Sequence, residues 1–235
     1  MRVAYLDCFS GVAGDMFLGA LLHAGLSLEA LEAELAKLGL DEFELKVERT
    51  WRDAMEGIRV EVVTADGAKP PHRGLSEIKT ILVGSGLDPE TKEWATAVFT
   101  RLAEAEAQVH GTTVDEIHFH EVGATDAIVD IVGVVAGLRL LGVEEVHASK
   151  IVLGRGVARC EHGEMPVPVP ATLELLKDAP VVLSDLEGEL VTPTGAALVS
   201  TLARSIGSGF SFVPTAIGYG FGTRVREVGP PNALR

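Results

Sequence analysis

The sequence predicts an α/β or α+β protein in which a mixed β-sheet is flanked by helices. Three observations carry that expectation. Short apolar runs of strand length alternate with longer segments of helical periodicity. Glycine is abundant, 26 of 235 residues, and aromatic residues are scarce at 5%, a balance that suits many tight strand–helix turns. Segments 43–49 and 58–64 alternate apolar and polar residues and read as an antiparallel pair, so the sheet is mixed. A chain of this length buries a sizeable core, as one compact domain or two lobes.

Arg2–Leu6 suits a buried strand. It leads through Asp7-Cys8-Phe9-Ser10-Gly11-Val12-Ala13-Gly14-Asp15 into a helix over 16–23, with Asp15 as its cap. Strand, glycine-containing loop and helix N-terminus together offer free backbone N–H groups to an anion. Asp7, Gly11, Gly14 and Asp15 are therefore candidates for substrate binding. Neither glycine fingerprint of nucleotide-binding loops is met. Ser27 caps a helix over 28–38 that Gly39 ends. After the antiparallel pair, 65–74 with its Asp-Gly and Pro-Pro steps is the candidate mobile loop; its His72 and Arg73 read as surface residues. Helices follow over 75–84 and 89–110. In the second, Trp94, Val98, Leu102 and Val109 are spaced as one apolar core-packing stripe.

The stretch 114–130 concentrates the chemistry. Ile117-His118-Phe119-His120 alternates apolar and imidazole side chains, so in an extended chain both imidazoles project to one face. Glu121 follows, Gly123 allows a change of direction, and a helix runs from Ala124 to Leu141 with Thr125 or Asp126 near its start as a cap. Asp126 and Asp130, four apart, share a face of that helix. Imidazole with carboxylate is the donor mixture of intermediate divalent ions such as zinc, nickel, iron or manganese. His118, His120, Glu121, Asp126 and Asp130 are accordingly candidate metal ligands; the alternative is a satisfied strand-end histidine pair with capping aspartates.

Residues 146–153 read as a strand and 154–163 as a glycine-bounded loop. Cys160 and His162 in that loop could supply a thiolate and an imidazole to a metal. Lys150, Arg155 and Arg159 form a local basic group there, suited to an anionic ligand or to ion pairs with nearby glutamates. Pro166, Pro168 and Pro170 stiffen the approach to a helix over 171–177. Thr192-Pro193-Thr194-Gly195 opens a helix to about Arg204; Thr192 and Thr194 offer hydroxyls and amides to a phosphate or carboxylate. A strand over 211–217 enters the close-approach loop Gly218–Gly222.

The net charge of −14 disfavours a nucleic-acid or anionic-membrane binder, which needs a basic footprint. Two cysteines, Cys8 and Cys160, make no disulfide framework and fit a reducing, cytoplasmic setting. No signal peptide is visible, and the longest apolar run, 127–143, contains Asp130 and Arg139, which suits a buried helix better than a membrane span.

Together these blocks resemble the LarC family. The resemblance rests on Asp7-Cys8-Phe9-Ser10-Gly11, Gly14-Asp15-Met16, His118-Phe119-His120-Glu121-Val122-Gly123-Ala124, Asp126, Asp130-Ile131-Val132-Gly133, Gly154-Arg155-Gly156, His162-Gly163, Pro166-Val167-Pro168, Glu189 to Ala197, Ile217-Gly218-Tyr219-Gly220 and Pro231-Asn232, in order along the whole chain. It implies nickel insertion into pyridinium-3,5-bisthiocarboxylic acid mononucleotide, completing the nickel-pincer cofactor of lactate racemase with CTP and manganese or magnesium. It also implies a C-terminal, CTP-associated domain beyond the Pro-Asn-x-Leu-Arg block, an oligomer, and lactate racemase apoprotein as a partner. Some members carry a histidine-rich tract where this chain has 65–74 with His72 alone. On this reading His118, His120 and Glu121 ligate the metal, with Asp126 or Asp130 as ligand or orienting group, and Cys160 and His162 take part in nickel transfer. Asp7, Gly11, Gly14, Asp15, Arg155, Thr192 and Thr194 hold the substrate. A metal-dependent hydrolase and a non-catalytic nickel chaperone are the alternatives.

Overall fold

The computed structural model describes residues 1–40, 43–64, 73–117, 119, 123–160 and 163–235, with the backbone alone at Cys160. In chain order, β1 (Val3–Leu6) is followed by α1 (Gly14–His23), α2 (Leu28–Leu35), β2 (Phe43–Arg52) and β3 (Met55–Thr64). Next come α3 (Leu75–Gly84), α4 (Pro89–His110), α5 (Thr125–Leu140), β4 (Glu145–Ala148), β5 (Ile151–Cys160) and β6 (Gly163–Val167). The chain ends with α6 (Pro170–Leu175), β7 (Val181–Glu187), α7 (Pro193–Leu202), β8 (Ala203–Ile206), β9 (Gly220–Phe221) and β10 (Ala233–Leu234).

The α/β expectation holds, but three small sheets replace the single one. The first, β1-β4-β8, is parallel throughout. The second, β10-β9-β3-β2, pairs β2 antiparallel to β3 and β3 parallel to β9, and is therefore mixed. The third, β6-β5-β7, is mixed in the same way.

Helix α5 sits at the centre. Twelve of its sixteen residues are buried, so it is covered nearly all round, as an apolar helix without a polar face must be. Gly133 and Gly137 permit that burial: a methyl group at either position would press on Leu18 of α1 or Leu26 beyond it, at 2.9 Å in both cases. Helix α1 is held from its other side by the second sheet. A methyl group on Gly220 would stand 1.7 Å from the Met16 carbonyl oxygen, which bears out 218–222 as a close-approach loop.

Several local expectations differ from the structure. The β2–β3 turn is two residues, with Asp53 at φ 53°, so both strands run longer than their alternation suggested. In α4, Val98 and Leu102 are fully buried, but Trp94 and Val109 are exposed; the buried stripe runs through Thr91, Ala95, Val98, Phe99 and Leu102. Segment 154–163 is no loop: β5 extends through it to Cys160. Its two glycines serve a register shift against β7, where Gly154 packs on the Gly188 carbonyl and Gly156 takes φ 105°. Residues 211–217 form no strand and are largely exposed. The caps expected at Asp15 and at Thr125 or Asp126 are instead Ala13 and Ala124, without side-chain cap bonds; each aspartate accepts from the next residue's N–H, Met16 or Ala127. The candidate mobile loop 65–74 lies, but for Arg73 and Gly74, outside the described residues. None of the described helices is long and apolar enough to cross a membrane.

Candidate functional site

Three helix N-termini meet around the loop that leaves β1. Within it, Gly11 N–H donates to the Cys8 carbonyl (3.2 Å), and Val12 N–H donates to the Leu190 carbonyl (2.9 Å). The Val12 carbonyl accepts from Thr192 N–H (3.2 Å), locking the start of α7 to the start of α1. Thr192 caps α7 by accepting from Gly195 N–H at 3.1 Å, as its sequence context predicted. Only glycine fits at 195, since a methyl group would lie 2.2 Å from the Val12 carbonyl oxygen. The start of α5 closes the group: a methyl group on Gly14 would lie 2.6 Å from Asp130 Oδ2.

That close approach brings Asp15, Asp126 and Asp130 together from two helices. The Asp15 backbone N–H bonds toward Asp130, yet Asp130 Oδ1 is sealed from solvent with no hydrogen-bond partner among the described residues. Burial, first, and the charges of Asp15 and Asp126, second, push the Asp130 carboxyl well above the usual carboxylate range. Asp15 is pushed up to about 6, chiefly by burial; the bond from Met16 N–H and the nearby Arg59 charge pull the other way. Burial thus disfavours the ionised form of Asp130, and a nearby positive charge would favour it. Helix N-termini supply only partial charge of that sign. The i,i+4 spacing revealed the Asp126–Asp130 half of this group. Asp15 joined it only through the α1–α5 packing.

The remaining candidates fall in different places. Asp7 is paired with Arg235 at 2.6 Å, and their backbones exchange hydrogen bonds in both directions. Arg155 stands on β5, half exposed, in ion pairs with Asp185 (3.0 Å) and Glu187 (3.3 Å), the alternative its sequence context allowed. Thr194 is half-buried in the first turn of α7. His118, His120, Glu121 and His162 lie outside the described residues, as does the Cys160 side chain. Among the described residues no group of three or more His, Cys, Asp or Glu side chains is arranged to hold a metal ion. Cys8 is fully buried, and burial with the Asp7 charge pushes its thiol up to about 12 despite a bond with Ser149, so it is no nucleophile or ready ligand.

Arg73, expected at the surface, instead ties two segments of the chain together. Its side chain is half-buried, and Nη1 donates to the Gly123 carbonyl (3.0 Å) and to Thr125 Oγ1 (3.4 Å). Its carbonyl accepts from Phe119 N–H at 3.2 Å, and Gly123 packs on its backbone. Arg73 thus holds both sides of the 118–122 segment and the start of α5. Its only sequence signal was a charge beside a Pro-Pro turn. Arg73→Ala is expected to cost about 1–2 kcal/mol of stability, measured by urea unfolding, through loss of charged hydrogen bonds to partly buried acceptors.

A family model described as nickel insertion protein matches residues 4–235. The pyridinium-3,5-bisthiocarboxylic acid mononucleotide nickel insertion protein of Desulfitobacterium hafniense strain DCB-2 is 49% identical over 235 residues; the match covers 100% of this chain and 58% of the relative. Its counterpart in strain Y51 is 48% identical with the same coverage. The chain thus spans 58% of the length of these curated relatives. No solved structure matches it. A match that runs almost from end to end places this chain in the nickel insertion protein family.

Proposed function

We propose that this chain carries the nickel-handling site of a protein that inserts nickel into pyridinium-3,5-bisthiocarboxylic acid mononucleotide, with nickel as a substrate of the reaction. One observation carries the reading: the Asp130 oxygen sealed without a partner among the described residues, beside Asp15 and Asp126, at the helix start that follows His118, His120 and Glu121 in sequence. A buried carboxylate in that company ionises when a cation joins it, and carboxylate with imidazole suits nickel. His118, His120 and Glu121 are the proposed first ligands, with Asp126 and Asp130 as ligands or orienting groups. Cys160 and His162 are proposed for transfer of the ion, and Asp7, Gly11, Gly14, Asp15, Arg155, Thr192 and Thr194 for holding the mononucleotide.

The finer parts of the reading rest on the resemblance. These are lyase-type chemistry, dependence on CTP, a CTP-associated domain in the remaining length, oligomerisation, delivery to lactate racemase apoprotein and a cytoplasmic setting. Manganese and magnesium, either of which would accompany CTP, take hard oxygen donors, the donor type that the aspartates offer. When bound, such an ion supplies neutralisation of phosphate charge.

The test is a His118→Ala, His120→Ala variant that still folds. Nickel content by equilibrium dialysis and insertion activity, assayed with the rest of the protein added in trans, are expected to fall together by at least about tenfold, as loss of first ligands implies. Unchanged nickel uptake would overturn the ligand assignment. Turnover of simple phosphoesters would favour the hydrolase. Nickel binding without CTP consumption, even with the remaining domain in trans, would favour the chaperone.

A further inference from the structure

A second polar site lies across the same loop from the aspartates. The β2–β3 turn and the segment 224–232 enclose a cavity of about 160 Å³ lined by Trp51, Arg52, Asp53, Arg224, Arg226 and Asn232. Three arginines face one small space in a chain of net charge −14. Among the described residues none of the three is in an ion pair with a carboxylate, although eight other arginines of the chain are. Asp53 stands exposed at the rim and forms no ion pair among the described residues.

Neutral groups place one of the three guanidiniums, that of Arg226. Arg226 donates to Ser10 Oγ, to the Pro230 carbonyl (3.3 Å) and to Asn232 Oδ1 (3.1 Å), which orient it and leave its charge uncompensated. Asn232 is fixed in turn, since its carbonyl accepts from Gly222 N–H at 3.0 Å. Arg224 lies over Gly188, where a methyl group would come within 2.6 Å of its Nη1. Arg52 Nε is sealed from solvent and has no hydrogen-bond partner among the described residues. Burial and the Arg224 charge hold the Arg226 guanidinium below its usual range, the signature of like charges kept close. Arg52 and Arg226 are half-buried and Arg224 is exposed, and planar guanidinium forks match phosphate oxygens.

We propose that Arg52, Arg224 and Arg226 form a phosphate-binding subsite that takes the phosphomonoester of a mononucleotide, with the Trp51 indole at its rim for the ring system. The cavity opens to solvent and has room for a phosphate group between the guanidinium groups. The Trp51 indole on its lining is 61% exposed and offers a face on which a ring system can stack. Ser10, fully buried, links Arg226 to the loop that runs on to Asp15, so a ligand anchored here lies along the loop that carries the aspartate site. Identifying the ligand as the nickel-accepting mononucleotide rests on the function proposed above; the phosphate subsite itself does not.

The test uses nickel-free chain carrying Trp94→Phe, which leaves Trp51 as the sole tryptophan of two. Nicotinic acid mononucleotide, a pyridinium mononucleotide, is expected to change Trp51 fluorescence saturably, with inorganic phosphate competing. Arg52→Gln and Arg224→Gln are each expected to weaken binding about tenfold or more, as loss of one charge-assisted hydrogen bond predicts, while near-UV circular dichroism stays as in the parent. No saturable change with either probe, or equal affinity in both glutamine variants, would overturn the subsite, and binding of inorganic phosphate alone would overturn the mononucleotide as its ligand. Because nickel is absent throughout, failure here leaves the aspartate site standing, and failure of nickel binding leaves this site standing.

Discussion

Asp130→Asn is expected to stabilise the metal-free chain at neutral pH and to cost it divalent-ion binding. In the unfolded chain Asp130 ionises near an ordinary aspartate pKa of about 3.9. In the folded chain burial, with Asp15 and Asp126, holds the proton on far above that range. A raised carboxylate pKa contributes stability that is fully present below the unfolded value and is lost as pH rises through the folded one. Asp15, pushed up to about 6, works in the same direction between about pH 4 and pH 6. The asparagine keeps the acceptor for the Asp15 N–H, removes the ionisation penalty and places an amide donor beside two carboxylates. The advantage of the variant over the parent is therefore expected to grow above pH 4 by at most about 1.4 kcal/mol per pH unit.

Two measurements check this. Urea unfolding of both proteins from pH 4 to pH 8 without metal gives the stability difference as a function of pH. The same series with saturating manganese or nickel should reverse the order, because an ion that binds only the folded parent stabilises it by mass action. A difference that stays flat with pH would show that Asp130 is ionised in the chain alone. A variant that binds metal as tightly as the parent would remove Asp130 from the ligand set.

Gly11→Ala is expected to be the most damaging single methyl group in the site loop. The residue has φ +96°, outside the range L side chains adopt comfortably, and its new Cβ would lie 1.9 Å from the Leu190 carbonyl oxygen. That carbonyl accepts the Val12 N–H at 2.9 Å, and Val12 in turn accepts from Thr192, so relieving the clash separates the starts of α1 and α7. Backbone strain and a lost buried hydrogen bond together imply a loss of at least about 4 kcal/mol, visible as a lowered urea midpoint or as insoluble expression. Gly25→Ala is the control: φ +112° imposes strain, but nothing lies within 4 Å of the added carbon. Its loss is expected to stay near about 1–2 kcal/mol.

Local chemistry carried its information at some helix ends and not at others. Ser27 and Thr192 cap α2 and α7, Gly39 follows its helix in left-handed conformation, and 75–84 and 89–110 are helices over the spans their periodicity gave. At α1 and α5 the caps are Ala13 and Ala124 and not the expected Asp15 and Thr125 or Asp126, because each aspartate bonds the next residue's N–H inside the helix. Segment 154–163 read as a loop because glycines punctuate it. Pairing on both sides, with β6 and β7, turned those glycines into features of a strand. Segment 211–217 had strand composition and no neighbour to pair with, and it forms no strand among the described elements.

The amino-acid sequence alone determined the α/β class, the caps of α2 and α7, the i,i+4 pairing of Asp126 with Asp130, and the family. Each rests on spacing or on ordered motifs, which exist before the chain folds. The tertiary structure decided that Asp15 joins those two aspartates, that Arg73 holds the turn before them, and that Arg52 meets Arg224 and Arg226 around one cavity. The physical reason is that those groupings join residues distant in the chain through backbone contact. Gly14 against Asp130, Gly123 against Arg73 and Asn232 against Gly222 set the distances, and no local pattern encodes which backbones will touch.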